Sequence, residues 1–411
     1  MPPLVSVILT SYNKPRTIQQ AIQSVFDQSY SHWELWIMDD HSEETVRSLI
    51  SDYLNDPRVH FFDSGVDNQE RYRRTRYAVL INQALAQANG QYITYLTDDT
   101  QYMKERLEKM ANFLTHSAKQ VVYSSQRVIQ VDDQFRREKQ WIIPADAILA
   151  DAAFKVDHCS VMHSRDLLQG IHEKYNSYWD DDPKYWSHAD AIFWRRLNER
   201  AAFYPLNEIL EETYKSPRSY QRLSQHLNDH LLDGSFIRAG NGEIFTVDQG
   251  SRRLLTAEWL ALFKISAKEI IDVPDPLLFR YPEMEPIDGK RFIPSYRLCC
   301  GRQGGSFYYL EHHRKRRLFD QNTVRFYRFR RQECMGMDEQ QLAALPDGPE
   351  ITGPWQKSFQ PPNHRLFLSG NRLWITQDNQ FCTIDNKVRL RYRLSEQPVP
   401  LKAADLQRCS G

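Results

Sequence analysis

Three near-continuous apolar runs, LVSVIL at 4–9, WELWIM at 33–38 and QYITYL at 91–96, constrain this chain most. A strand with one wet face alternates apolar and polar residues. A run that stays apolar suits a strand covered on both faces, as parallel sheets require. Between the runs the period becomes helical. Ile18, Ala21, Ile22, Val25 and Phe26 recur at i, i+3, i+4 spacing, as do Val46, Leu49, Ile50 and Tyr53. Tyr77, Ile81, Ala84, Leu85 and Ala88 line a third helix that stops at Asn89-Gly90. RVHFF (58–62) and QVVYSS (120–125) add strands, and Leu107, Met110 and Leu114 mark a further helix. Strands alternating with helices over about 120 residues predict an α/β fold, an open and mostly parallel sheet flanked by helices. Ligands of such sheets bind at the carboxyl ends of the strands.

Two of these strands end in paired acids, Asp39-Asp40 and Asp98-Asp99. Asp is a favoured helix cap, and a helix is expected from about Met103, so capping explains one carboxylate of a pair. It leaves the other. Adjacent carboxylates repel, and burial disfavours both charges. Mg²⁺ or Mn²⁺ relieves that repulsion, because both prefer oxygen ligands and are held by one or two carboxylates plus substrate phosphates. An acid at a strand end also accepts hydrogen bonds from a base or ribose. In HADAIFWRR (188–196), Asp190 either caps a helix or acts as a general base beside an acceptor hydroxyl. Arg71, in QERYRRTRY (69–77), lies on a solvated basic face or reaches a diphosphate, which suits a guanidinium fork. His158 and His163 lack a third ligand at zinc spacing and read as strand histidines. There is no GxGxxG or GxxxxGK[ST], so dinucleotide and P-loop readings lose their main support.

The 411 residues suggest two or three domains. The composition, 41 % hydrophobic and 26 % charged, is that of a folded globular chain. A formal net charge of +0 offers no field for nucleic acid or membrane. No apolar run reaches the ~18 residues of a membrane span. The start, MPPLVSVILTSYNKP, lacks a basic region and a cleavage site and reads as a first strand, not a signal peptide. Six scattered cysteines (159, 299, 300, 334, 382 and 409) read as reduced cytosolic thiols.

After about residue 222 the sequence becomes helix-poor, aromatic-rich and locally basic. DGSFIRAGNGEIFTVDQGSRRLL (233–255) is echoed by DGKRFIPSYRLCCGRQGGSFYYLEHHRKRRLF (288–319) and, in shorter form, by RLFLSGNRLWIT (365–376). A β-rich repeat region is expected over 223–411, with units near 233–287, 288–352 and 363–409. Its basic strip HHRKRRLF and the aromatics Tyr308, Tyr309 and Trp374 form either a packed module with a solvated edge or a contact for an anionic glycan or a partner.

In order, VSVILTSYN, SVFDQSY, WELWIMDDHS and GQYITYLTDDT resemble inverting family 2 glycosyltransferases of the GT-A fold. TSYNK (10–14), RYAVLINQAL (76–85), VDHCSVMH (156–163), SYWDDDP (177–183) and FYPLNEILEETY (203–214) are most similar to the spore-coat polysaccharide type of that family. The likeness covers about residues 3–216 and implies a glycosyltransferase domain at 1–222. By position, Thr10 and Tyr12 match residues lining the nucleotide pocket, Asp40 one that contacts the base, and Arg71 one near the diphosphate. Asp98 matches the first residue of the DXD-type motif, on the nucleotide side, and Asp99 the metal-binding one. Asp190 matches the catalytic base. Two departures stand out: the acids have no spacer between them, and Ala189 stands where the family often has another acid. The resemblance implies a Mn²⁺- or Mg²⁺-dependent inverting transfer from a uridine or thymidine diphosphate sugar to a glycan or other hydroxyl acceptor. Surface or spore-coat polysaccharide synthesis is the implied setting, in the cytoplasm or at the forming spore or cell envelope. The rivals are a non-catalytic glycan- or nucleotide-binding scaffold and a nucleotidyltransferase, whose glycine-rich phosphate loop TSYNKP does not supply.

Overall fold

The structure is a computed structural model that describes residues 2–223, 227, 230–262, 265–287, 295–302, 305–385, 389 and 397–409. It divides into two compact units, Met1–Arg222 and Leu223–Gly411.

In the first unit β1 (Val5–Ser11) is followed by α1 (Ile18–Phe26), β2 (Trp33–Asp39), α2 (Glu44–Ser51), β3 (Val59–Asp63), α3 (Arg76–Gln87) and β4 (Tyr92–Thr97). Then come β5 (Thr100–Tyr102), α4 (Arg106–Ser117), β6 (Val121–Val131), β7 (Arg137–Ile143), β8 (Val161–Ser164), α5 (Asp166–Tyr175), α6 (Ala189–Asn198) and β9 (Tyr204–Lys215). One sheet runs in the order β3-β2-β1-β4-β8-β6-β9-β5, with β7 on β6. Its first four strands are parallel. β8 enters antiparallel between β4 and β6, and β9 returns parallel to β6, so the far half is mixed.

Both faces of the parallel strands β1 and β2 are covered, as the apolar runs require. Val5, Val7 and Leu9 pack on one side with Ile18, Ile22 and Val25 of α1, while Ile8 packs on the other with Ile81, Leu85 and Tyr95. Leu35 and Ile37 against Trp36 and Met38 split the same way.

The helix expected from about Met103 begins later. Thr100–Tyr102 pairs antiparallel with β9, and α4 starts at Arg106 with Glu105 in the cap position. The reason is local chemistry. Thr100 and Tyr102 alternate inward, Thr100 sharing a 2.9 Å hydroxyl contact with Thr213 and Tyr102 donating to the Tyr95 carbonyl at 2.5 Å. A β-branched and an aromatic residue on one face of a pleat favour a strand. Neither Asp98 nor Asp99 therefore caps a helix.

Among the described residues, the second unit holds three small sheets. The first contains β10 (Phe236–Arg238), β11 (Ile244–Asp248), β12 (Ser251–Leu255), β13 (Ile270–Asp272) and β14 (Glu283–Met284). The second contains β15 (Arg297–Gly301), β16 (Tyr308–Glu311), β17 (Arg314–Arg317) and β18 (Met335–Met337). The third contains β19 (Leu366–Ser369), β20 (Arg372–Gln377), β21 (Gln380–Ile384) and β22 (Val399–Pro400). Each has a three-strand antiparallel meander whose first strand also pairs with a later parallel strand. The segment DGKRFIP (288–294) and most of 386–396 lie outside the described residues.

The basic strip is partly internal. Arg316 pairs with Glu311 at 2.7 Å and is buried, as is Tyr309, whose hydroxyl donates to the Asn363 carbonyl at 3.1 Å. Arg253 and Asp248 make the matching 2.7 Å buried pair in the first sheet. Tyr309 is thus a core residue, and the exposed edge of β17 is left to Arg314 and Arg317.

Candidate active site

The carboxyl ends of β1, β2 and β4 open together, because the three strands are parallel and in register from Ser11 and Thr10 across to Asp39 and Thr97. Thr10 and Ser11 close β1, and both are buried. The chain then turns through Tyr12 and Asn13, whose φ is 50°. Tyr12 donates its backbone N–H to Asp98 Oδ2 at 2.8 Å, which ties the first strand's exit to the acidic pair.

The two acids after β2 diverge. Asp39 accepts the Ser42 N–H at 2.7 Å and its hydroxyl at 2.6 Å, so it shapes the turn into α2. Asp40 faces Arg71 at 2.5 Å and Arg76 at 2.7 Å. Arg71 is only 1 % exposed, also donates to the Asp40 carbonyl and to Asn68, and its guanidinium lies 4.5 Å from the centre of the Tyr12 ring. It is buried, not on the solvated face that its basic run suggested. Its position joins Tyr12 and Asp40 into one wall.

The acids after β4 also have distinct surroundings. Asp98 is buried, and burial followed by the neighbouring Asp99 charge pushes its carboxyl up to about 7, against the pull of Lys14 and the Tyr12 N–H. Asp99 accepts the Thr97 hydroxyl at 2.7 Å through Oδ1, and its Oδ2 lies 3.9 Å from the Lys215 ammonium. Lys215 is 9 % exposed at the end of β9. Burial favours its neutral form, but Asp99, Asp157, Cys159 and Asp98 override this and raise its pKa.

Asp190 occupies the first turn of α6, with His188 in the cap position. Its Oδ1 accepts the adjacent Ala191 N–H at 2.8 Å. Burial raises its pKa; His158 and His188 oppose the shift and Asp157 adds to it. Tyr77, on α3, fixes the start of this helix by accepting the Ala189 N–H at 2.8 Å. His158 stacks on Tyr77, and although burial disfavours its charge, Cys159, Asp157 and Asp190 lift it to about 10. The acids of β4 and the acid of α6 are thus linked through Lys215, Asp157 and His158.

Sequence reasoning missed Lys215, Asp157 and Tyr77 and gave His158 no role. One signal existed. Glu211, Thr213 and Lys215 are polar at alternate positions of a strand, and all three are buried. A period-2 polar face turned inward marks a site or a buried network. His163 accepts the Tyr95 hydroxyl at 2.8 Å and donates to the Ser164 carbonyl at 3.0 Å, a fully partnered core histidine.

For Mg²⁺ or Mn²⁺ the donor chemistry fits. Asp98 and Asp99 each spend one oxygen on a protein donor, leaving a second hard oxygen apiece, which suits an ion shared with a diphosphate. Among the described residues no cluster of three or more His, Cys, Asp or Glu could hold a metal by itself.

The family model described as glycosyl transferase family 2 matches residues 6–192. Protein CgeD of Bacillus subtilis is 40 % identical over 407 residues, spanning 98 % of this chain and 93 % of CgeD. The chain belongs to glycosyl transferase family 2. Two proteins named as glycosyltransferases match shorter stretches. TuaG of B. subtilis, named for teichuronic acid biosynthesis, is 38 % identical across 27 % of this chain and 42 % of TuaG. WfgD of Escherichia coli, named as a UDP-Glc:alpha-D-GlcNAc-diphosphoundecaprenol beta-1,3-glucosyltransferase, is 29 % identical across 31 % of this chain and 47 % of WfgD. This chain thus spans less than half of either, whereas its match to CgeD runs through both units. The family match includes Thr10, Tyr12, Asp40, Arg71, Asp98, Asp99 and Asp190 and stops short of Lys215.

Proposed function

We propose that this chain is an inverting, metal-assisted glycosyltransferase that moves a sugar from a nucleoside diphosphate to a hydroxyl of a glycan in surface or spore-coat polysaccharide synthesis. The observation that carries the reading is the Asp98-Asp99 pair at the carboxyl end of the parallel strands, bonded to the Tyr12 N–H at 2.8 Å on one side and 3.9 Å from the Lys215 ammonium on the other. The names of TuaG and WfgD, polymer synthesis and a UDP-sugar donor, support the same class.

Thr10, Tyr12, Asp40 and Arg71 form the nucleotide wall. Asp40 and Arg71 are already bonded to each other, so the wall is rigid before a base arrives. Asp99 holds the ion, with Asp98 beside it on the nucleotide side, and the ion when bound supplies Lewis-acid charge at the diphosphate. Lys215 stands beside them as a second positive charge for the departing phosphate oxygens. Asp190 takes the proton of the acceptor hydroxyl. The acceptor oxygen bonds to the anomeric carbon as the carbon–oxygen bond to the diphosphate breaks, and the nucleoside diphosphate leaves with that electron pair. Burial suits Asp190 to this role, because a raised pKa makes a carboxylate a better proton acceptor. In the second unit we read the three sheets as copies of one module.

Calorimetry with UDP and dTDP tests this. Affinity should rise with Mn²⁺ or Mg²⁺ over chelator, and equal affinity removes the ion. Asp190→Asn should keep nucleotide binding and lose roughly 10²–10⁴ in transfer rate. Unchanged transfer would move the base elsewhere, and absent turnover in the parent chain would favour the non-catalytic scaffold.

A further inference from the structure

The turn Ala152–Lys155 leads into the Asp157-His158 pair and closes with the Lys155 N–H on the Ala152 carbonyl at 3.1 Å. Phe154 occupies its third position with φ of 62°. Turns normally give that left-handed position to Gly or Asn. A bulky residue held there is strained. The ring gains no burial in return, for Phe154 is 68 % exposed. It is nevertheless held in place. Its centroid is 5.8 Å from that of His188, and the Arg195 guanidinium lies 5.5 Å from the ring. Tyr185 meets His188 edge-on at 5.5 Å. The turn is pinned on both sides to α6: Ala152 donates to Asn198 Oδ1 at 2.8 Å, and Trp194 Nε1 donates to the Val156 carbonyl at 3.0 Å. That helix begins right after His188 and carries Asp190 in its first turn.

A strained, exposed aromatic, fixed to the helix that bears the base, has the geometry of a platform. We infer that Phe154 stacks against the apolar face of a pyranose ring in the acceptor, and so that the acceptor hydroxyl belongs to a sugar and not to a lipid or a protein side chain. The inference rests on the reading of Asp190 as the base. Carbohydrate rings present C–H groups on one face and hydroxyls at the rim. Phe154 offers an apolar plane for the first, and the exposed Arg195 and the half-buried His188 offer polar groups for the second.

Saturation-transfer NMR on the full chain with UDP and Mn²⁺ present tests this, with methyl β-glucoside and methyl β-N-acetylglucosaminide as probes. Wild type and Phe154→Trp should pass saturation to the protons of one sugar face. Phe154→Gly should lose that signal roughly tenfold or more, as the loss of one aromatic contact predicts. Because Gly suits the left-handed backbone, this variant should melt no lower than wild type and bind UDP equally well. Undiminished saturation transfer in Phe154→Gly, no transfer from a wild type that binds UDP, or loss of UDP binding together with the sugar signal would each overturn the platform. A wild type that does not bind UDP would instead overturn the underlying reading, and the platform with it.

Discussion

Asp98 and Asp99 are adjacent in sequence and unlike in surroundings. Asp98 is nearly sealed by the Tyr12 turn, while Asp99 opens toward Lys215. An ammonium with little exposure beside three carboxylates is poised to hand part of its charge to an incoming diphosphate. Lys215→Met should therefore weaken UDP binding by about tenfold, the effect of one lost charge-assisted contact of 1–2 kcal/mol. Calorimetry at saturating Mn²⁺ reads this directly, and an unchanged affinity would reduce Lys215 to a structural counter-charge. The acids were legible in the sequence because two of them sit together where an apolar run stops. Lys215 was not, since nothing in YKSPR shows that β9 curls back to bring its last residue to Asp99. The cap reading of Asp98-Asp99 failed for a related reason: the three-residue strand Thr100–Tyr102 is defined by its partner β9, more than a hundred residues away.

At the scale of elements, β8 is the insertion that turns a parallel sheet into a mixed one. It pairs antiparallel with both β4 and β6 and carries His163 between them. His163 is fully buried, and burial drives its pKa down to about 4, with the Ser164 carbonyl opposing. The folded state therefore holds the neutral ring, while the unfolded chain takes up a proton near pH 6.5. The contribution to stability is complete above pH 6.5 and is lost as pH falls from there toward 4, by an amount on the order of 3 kcal/mol. His163→Gln offers Tyr95 an acceptor and Ser164 a donor without titrating. Its melting temperature should fall less steeply than that of the parent between pH 6.5 and 4, and parallel curves would mean that other groups dominate acid unfolding. The strands that ran apolar on both faces were readable because their burial is local and continuous. The short strands were read only in part. RVHFF holds as β3, and the strand reading of the two histidines holds for His163 in β8, whereas His158 lies in a single 3-10 turn, His158–Ser160.

At the scale of the whole molecule the question is whether the family 2 domain is self-sufficient. Among the described residues, two apolar clusters of the first unit draw on residues between Val5 and Leu210, and two of the second draw on residues from Phe236 onward. A domain whose core is complete within its own chain segment can fold alone. The end-point matters, because Arg222 donates to the Val131 carbonyl at 2.7 Å and pairs with Glu138 at 3.2 Å, tying the end of the unit to the β6–β7 hairpin. A fragment of residues 1–222 should unfold cooperatively and bind UDP with Mn²⁺ within about threefold of the full chain, since every proposed contact lies inside it. A fragment ending at 216 should melt lower by several degrees, having lost both ties, each worth roughly 1 kcal/mol. Thermal melts and calorimetry on the two fragments decide it. If 1–222 is soluble and folded yet fails to bind nucleotide, the second unit completes the site. If it does not fold, the cores are not as separate as their residues indicate.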